Sequence, residues 1–193
     1  MGLEAYKTIQ PPFTLKFREM TKPELKDYFK WFMEMIPQRI EELSKAVRQT
    51  PGYEEWQPDN TPDSLNALGQ WLSEHVETRQ RTPQEISEIE DRLAFPIEVP
   101  RIELTNKAFS LAMDVGMYIS QVFLVNHPSL KWEQRVSALR SVDYGQPVLI
   151  DFGRPFNPVR MMITQAYALA DRKWDGRSLR ELYDIWEKKV IGE

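Results

Sequence analysis

The segment from Leu104 to Val125 is the most apolar run in the chain, and it limits the fold more than any other feature. It is long enough to cross a bilayer as a helix. Two stripes argue for a different place. Lys107, Ser110, Asp114 and Gln121 recur at three-, four- and seven-residue offsets, so they share one helical face. A lipid-exposed helix would not carry that face, and Asp114 at its centre would be costly in hydrocarbon. Ala108, Ala112, Gly116 and Ser120 are small and spaced by four, which lets another helix or a sheet approach closely. The segment reads as the central helix of a core, with no membrane partner.

The flanking sequence supplies elements to pack on it. Residues 1–12 read as an extended N-terminal segment, and the alternation from Phe13 to Met20 suggests a strand. Thr21 with Glu24 forms a capping box before Leu25, Tyr28, Phe29, Phe32 and Ile36. Pro37 is expected to break or kink that helix, with Ile40, Leu43 and Val47 on a second segment to about Gln49. Thr50 to Asn60 is a loop with exposed-looking Tyr53 and Trp56. Thr61-Pro62 opens a helix faced by Leu65, Leu68, Leu72 and Val76. Thr82-Pro83-Gln84-Glu85 opens another, carried by Ile86, Ile89 and Leu93 to a stop near Pro96.

After Pro128, Leu130 to Val136 holds a short strand, Asp143 to Pro147 a turn, and Val148 to Phe152 a second strand. Val159 to Asp171 is a helix with Val159, Ile163, Ala166 and Ala170 on one face and Met162 and Leu169 beside it. A last helix starts from a Ser178/Glu181 box and carries Leu182, Trp186 and Val190. Five to seven helices with a small sheet of two to four short strands make a mostly helical α+β fold. We expect one globular domain over residues 1–193.

The composition excludes several chemistries. No cysteine is present, so disulfides, thiolate metal sites and a thiol nucleophile are absent. Glycine-rich phosphate loops and Gly-x-Ser-x-Gly are missing. The two histidines, His75 and His127, have leucines three residues before them where a di-iron bundle needs glutamates. Asp151-Phe152-Gly153 matches a kinase triplet without the rest of the kinase set. No metal and no cofactor is expected, and catalysis is disfavoured. Met1 to Gln10 lacks the order of a signal peptide, so a cytoplasmic location is the expectation. Arg172, Lys173, Arg177 and Arg180 surround Trp174, but the net charge of −4 argues against a nucleic-acid partner.

Two regions carry candidate sites. Polar residues on loops held by a rigid scaffold are where ligands tend to bind. That singles out the 127–160 loops, with Asp151, Arg154, Arg160, Tyr144 and His127 as candidate ligand-binding residues. Asp151 and Arg154 are placed to pair with each other or to hold a small anion. The second region is an interaction surface built on Tyr53 and Trp56, in the acidic first half of the chain. Residues 1–100 carry 18 acidic and 12 basic side chains.

One stretch is also similar to known sequences. Gly116-Met117-Tyr118, the Leu-x-Trp-Glu element Leu130–Glu133, the turn at Gly145 and Pro155-Phe156-Asn157-Pro158 follow in an order that resembles uncharacterised small bacterial proteins. Some of those are immunity partners of bacterial toxins. The resemblance spans Phe109 to Arg160 and names no catalytic residue, so it implies fold-level likeness and an interaction role. The expectation is a soluble bacterial protein that acts by protein–protein binding. The alternative is a small-molecule binder or enzyme using the 127–160 loops.

Overall fold

The apolar run folds as one helix, Asn106–Asn126, started by Thr105, whose hydroxyl accepts from the Ala108 amide. The computed structural model describes residues 5–93, 95, 97–137 and 139–191. Its elements in chain order are α1 (Lys22–Arg48), α2 (Ser64–His75), β1 (Thr78–Gln80), α3 (Pro83–Glu90), β2 (Ile102–Leu104) and α4 (Asn106–Asn126). There follow β3 (Lys131–Gln134), β4 (Pro147–Ile150), α5 (Pro158–Ala170) and α6 (Ser178–Ile191). The fold is a mostly helical α+β arrangement. α4 is long and apolar enough to cross a membrane, and 78% of its apolar window is buried inside the molecule.

The small stripe of α4 finds its partner in α5. A Cβ on Gly116 would stand 2.9 Å from the Val159 Cα and 3.1 Å from the Pro158 carbonyl oxygen. Only a residue without a side chain permits that approach. A neighbouring face of α4 packs on α1 through Met113 and Met117, which join Tyr28, Phe32 and Ile36 in one apolar cluster. The larger core gathers Leu65, Leu68 and Trp71 of α2, Phe123 of α4, Met162 and Ala166 of α5, and Tyr183 and Trp186 of α6.

Several expectations are corrected. α1 runs through Pro37 as one element to Arg48. Pro37 is exposed, so the carbonyl it leaves unpaired one turn back can meet water. A continuous buried face, from Leu25 to Val47, holds both halves against α4. Phe13 to Met20 is not a strand: residues 17–19 turn, and Leu15 takes φ +56. Phe13 and Phe17 instead set their ring edges on Tyr28, at 5.5 and 5.0 Å. Helix α2 begins at Ser64, after a turn at Thr61 to Asp63. α3 ends at Glu90, short of Pro96, which lies outside the described residues, as do Met1 to Glu4 of the expected extended segment.

The strands form two separate ladders rather than one sheet. β1 pairs antiparallel with β2, Thr78 opposite Leu104, and β3 with β4, Lys131 opposite Ile150. β1 went unread in the sequence, and β4 ends at Ile150 rather than Phe152. The buried face of α5 is Met162, Gln165, Ala166 and Leu169, rotated from the expected one; Val159, Ile163 and Ala170 are half-buried. Ser178 does not cap α6. Its hydroxyl donates to the Asp175 carbonyl and accepts from Gln165, while the Asp175 carboxylate takes the Arg177 amide.

Candidate functional site

The loop after β4 reverses sharply. Asp151 and Gly153 both take positive φ, +80 and +75, and Phe156 then pairs back on Leu149. This return places Phe156 against the Trp186 ring at 4.3 Å between centroids, and it lifts Arg154 over the same ring at 4.9 Å. Asn157 caps α5 by accepting from the Arg160 amide. Its amide nitrogen donates to Asp143, which also takes Arg160 Nε at 2.9 Å and Nη2 at 3.2 Å. Asp143 and Asn157 are buried. They fix Arg160 at the edge of a cavity of about 310 Å³, whose lining also includes Arg135, Arg154, Met161 and Trp186.

The five expected ligand-binding residues do not converge. Arg154 and Arg160 share this cleft. Tyr144 lines a neighbouring one with Phe17 and Arg18. Asp151 is exposed, and among the described residues it forms no ion pair with Arg154. His127 is the C-cap of α4, and its Nε2 lies 3.2 Å from the Tyr183 hydroxyl and 3.1 Å from Glu187. It joins α4 to α6 and takes no part in the cleft. Sequence reading did not single out Asn157 and Arg135, and it placed Asp143 among the loop polar residues without a role. The Asn157-Pro158 step was a visible cap-and-first-turn signal.

The exposure expected for Trp56 is wrong. Trp56 is buried, donates through Nε1 to the Ser64 carbonyl at 3.0 Å and sets its ring edge against Tyr118. A loop carries it, and the loop folds it into the core between α2 and α4. Tyr53 is half-buried; burial, with Glu74 beside it, raises its hydroxyl pKa to about 12. Three of the four cations in the basic cluster near Trp174 are paired. Lys173 pairs with Asp171, Arg177 with Asp175, and Arg180 with Asp63 and Asp184.

A buried ion pair joins Asp114 of the polar stripe to Arg39, a pairing the sequence did not name. Asp114 is fully enclosed and takes Arg39 through Nε at 2.8 Å and Nη2 at 2.7 Å. The Tyr6 hydroxyl donates to the same carboxylate, and Ser110 accepts the Ile9 amide. The N-terminal segment is thereby fastened across α1 and α4. Burial raises Asp114 to about 6, with Arg39 opposing, and drives the Tyr6 hydroxyl far upward. The polar stripe on the apolar helix pointed to this: an aspartate there demands a cation.

The region from β1 to β2 differs in kind. No residue of α3 is buried. Its capping box, Thr82 with Glu85, forms as read, and Arg79 grips Glu85 through both terminal nitrogens. Beyond it Phe95 is 74% exposed, Ile97 62% and Leu93 38%, around a cavity of about 510 Å³ flanked by Glu90 and Glu98. Glu88, Glu90, Asp91 and Glu98 are all exposed here, against the exposed cations Arg92 and Arg101, and Arg81 lines a neighbouring cleft with Glu90, Glu98 and Arg101.

Among the described residues no group of three or more carboxylate and imidazole side chains is placed to hold a metal ion. Comparison with known proteins finds no matching family model, no matching curated protein and no matching solved structure.

Proposed function

We propose that this protein acts by binding another protein, and that the arm between β1 and β2 is its contact surface. One observation carries the reading: Leu93, Phe95 and Ile97 stand together in solvent next to a helix that buries nothing. Clustered exposed apolar side chains with polar edges are the usual mark of an interaction surface. An aromatic ring such as Phe95 suits the centre of one. The acidic excess around it, four exposed carboxylates against Arg92 and Arg101, favours a polypeptide surface with an apolar pocket and a cationic rim, since complementary charge steers encounter and register.

The resemblance of residues 109–160 to immunity-like bacterial proteins favours the same class of action, with a cationic toxin domain as the partner. A bacterial cytoplasmic setting belongs to the same proposal.

The test is affinity capture with the tagged full chain from its own host, followed by native mass spectrometry. Wild type should retain a stoichiometric partner with a basic contact face, released by salt, and the Phe95→Ser/Ile97→Ser variant should lose it. A partner held equally by both chains, or no partner at all, refutes this assignment.

A further inference from the structure

The cleft beside Trp186 has a charge pattern that stability alone does not explain. Its lining brings three guanidinium groups, Arg135, Arg154 and Arg160, to one cavity with a single carboxylate, Asp143. Asp143 does not neutralise the opening. Its oxygens are occupied by Asn157 Nδ2 and by Arg160 Nε and Nη2, so it works as a bracket that orients Arg160. Among the described residues, Arg160 Nη1 has no hydrogen-bond partner.

Arg154 is held by a different device. Its guanidinium lies over the Trp186 ring, and among the described residues it has neither an ion pair nor a hydrogen-bond acceptor. The contact with the ring face localises the group and leaves its N–H donors free, the arrangement that suits two-point recognition of an oxyanion. Arg135 has only a loose carboxylate, Glu133, at 3.6 Å with both side chains nearly half exposed. Lys189 adds a fourth cation over Trp186 at 5.4 Å. The lining keeps a surplus of two positive charges after Asp143 is counted.

We propose that this cleft binds a small phosphomonoester, its phosphoryl oxygens held between Arg154 and Arg160 with Arg135 at the rim. The charge chooses the class. A phosphomonoester carries about −1.5 to −2 near neutrality and three acceptor oxygens, which matches the surplus better than a monocarboxylate does. The volume and the walls choose the size. About 310 Å³ is at the small end of ligand pockets, and half-buried Met161, backed by the buried rings of Phe156 and Trp186, leaves room for a compact organic body. The backbone reversal at Asp151 and Gly153 gains a purpose in this light, because it sets the exposed Arg154 over the Trp186 ring at the mouth of the cleft. The proposal is independent of the protein-binding arm, which contributes no residue to this lining.

The experiment is calorimetric titration of the full chain with phenyl phosphate in a buffer free of other oxyanions. Saturable one-to-one binding is expected at or below about 1 mM, with benzoate weaker by ~10-fold or more. Arg154→Gln is the primary variant, since Arg154 is exposed and its removal leaves the Asp143–Asn157–Arg160 bracket intact. It should weaken phenyl phosphate by ~10-fold or more with an unchanged thermal midpoint. Lys30→Gln, on an exposed turn of α1, should leave binding unchanged.

Absence of saturable heat up to about 20 mM overturns the proposal. So does equal binding by the Arg154→Gln chain, or equal affinity for benzoate. A phosphotyrosine peptide that binds ~100-fold tighter than phenyl phosphate overturns the small-molecule assignment in favour of a phosphorylated protein.

Discussion

The junction of α1 with α4 and the arm from β1 to β2 are each fastened by an arginine on a carboxylate, with opposite consequences. Arg39 meets Asp114 inside the protein, and Arg79 meets Glu85 at the surface. Burial lifts Asp114 to about 6 despite its partner. At the surface the hydrogen bonds from Arg79, with the Thr82 amide, pull Glu85 down to about 2. The same pair of chemical groups gives a group that resists ionisation in one place and one that holds its charge firmly in the other. Solvent decides the sign. The inner pair is also joined by Tyr6 and sits among Met113, Phe32 and the rest of an apolar cluster. The outer pair secures a helix that touches no core.

The sharpest way to break this comparison is to remove one arginine at a time. Arg39→Met leaves an uncompensated carboxylate inside and should cost about 3–5 kcal/mol at neutral pH, read from urea unfolding. It should also free the N-terminal segment, seen as protease cleavage near Tyr6. Arg79→Met should leave the unfolding midpoint within error, because exposed pairs contribute little. Equal losses from the two variants would show that the arm is as firmly built as the core.

The core side of the contrast depends on close approach as well as on charge. Gly116→Val puts side-chain atoms where the α5 backbone at Pro158 and Val159 already stands. Overpacking of this kind should cost about 1–3 kcal/mol, with the midpoint shift measured in the same urea series. Since α5 begins at the cleft, the variant should also disturb Arg160. A silent Gly116→Val would mean that α4 and α5 slide apart at no cost.

The pH dependence follows from the direction of the Asp114 shift. In the unfolded chain this carboxyl has its ordinary value, 3.8; in the folded protein it is held near about 6. As pH rises, the unfolded state loses its proton first. The contribution of Asp114 is therefore full below about pH 4 and is lost as pH climbs through about 6. Asp114→Asn lacks this dependence. The stability difference between wild type and the Asn variant should be more favourable to wild type at about pH 4 than at about pH 7.5, from paired urea melts. The opposite trend would show that attraction to Arg39 outweighs the burial penalty.

How far the sequence could be read depended on the distance between interacting groups. The Thr21/Glu24 and Thr82/Glu85 boxes are contacts across three residues, and both formed as read. The small stripe of α4 is periodic and announced a close neighbour, though not which one. Arg39 and Asp114 are 75 residues apart, so the apolar helix signalled a missing cation without naming it. Trp56 looked exposed because its loop is polar, yet its burial is set by Tyr118 and Ser64, distant or across a turn. Strands of three residues, such as β1, are too short for alternation to show. In the 127–160 loops the residue types were informative and their directions were not. Positive φ at Asp151 sends that side chain to solvent and the following arginine to Trp186.

The smallest effect is expected where the largest side chains are exposed. Phe95→Ser and Ile97→Ser remove apolar groups that lie mostly in water, so little burial is lost on folding. Each should change stability by no more than about 0.5 kcal/mol, as surface substitutions usually do. Val99, buried just beyond them, is the internal control, and Val99→Ala should cost measurably more. Hydrogen exchange should place the α3 amides far below those of α4 in protection, since the arm can open without disturbing the core. A loss of more than about 1 kcal/mol from Phe95→Ser would mean that the ring is covered in the folded chain. The arm would then be a packed element, and its apolar tip would no longer be free to meet a partner.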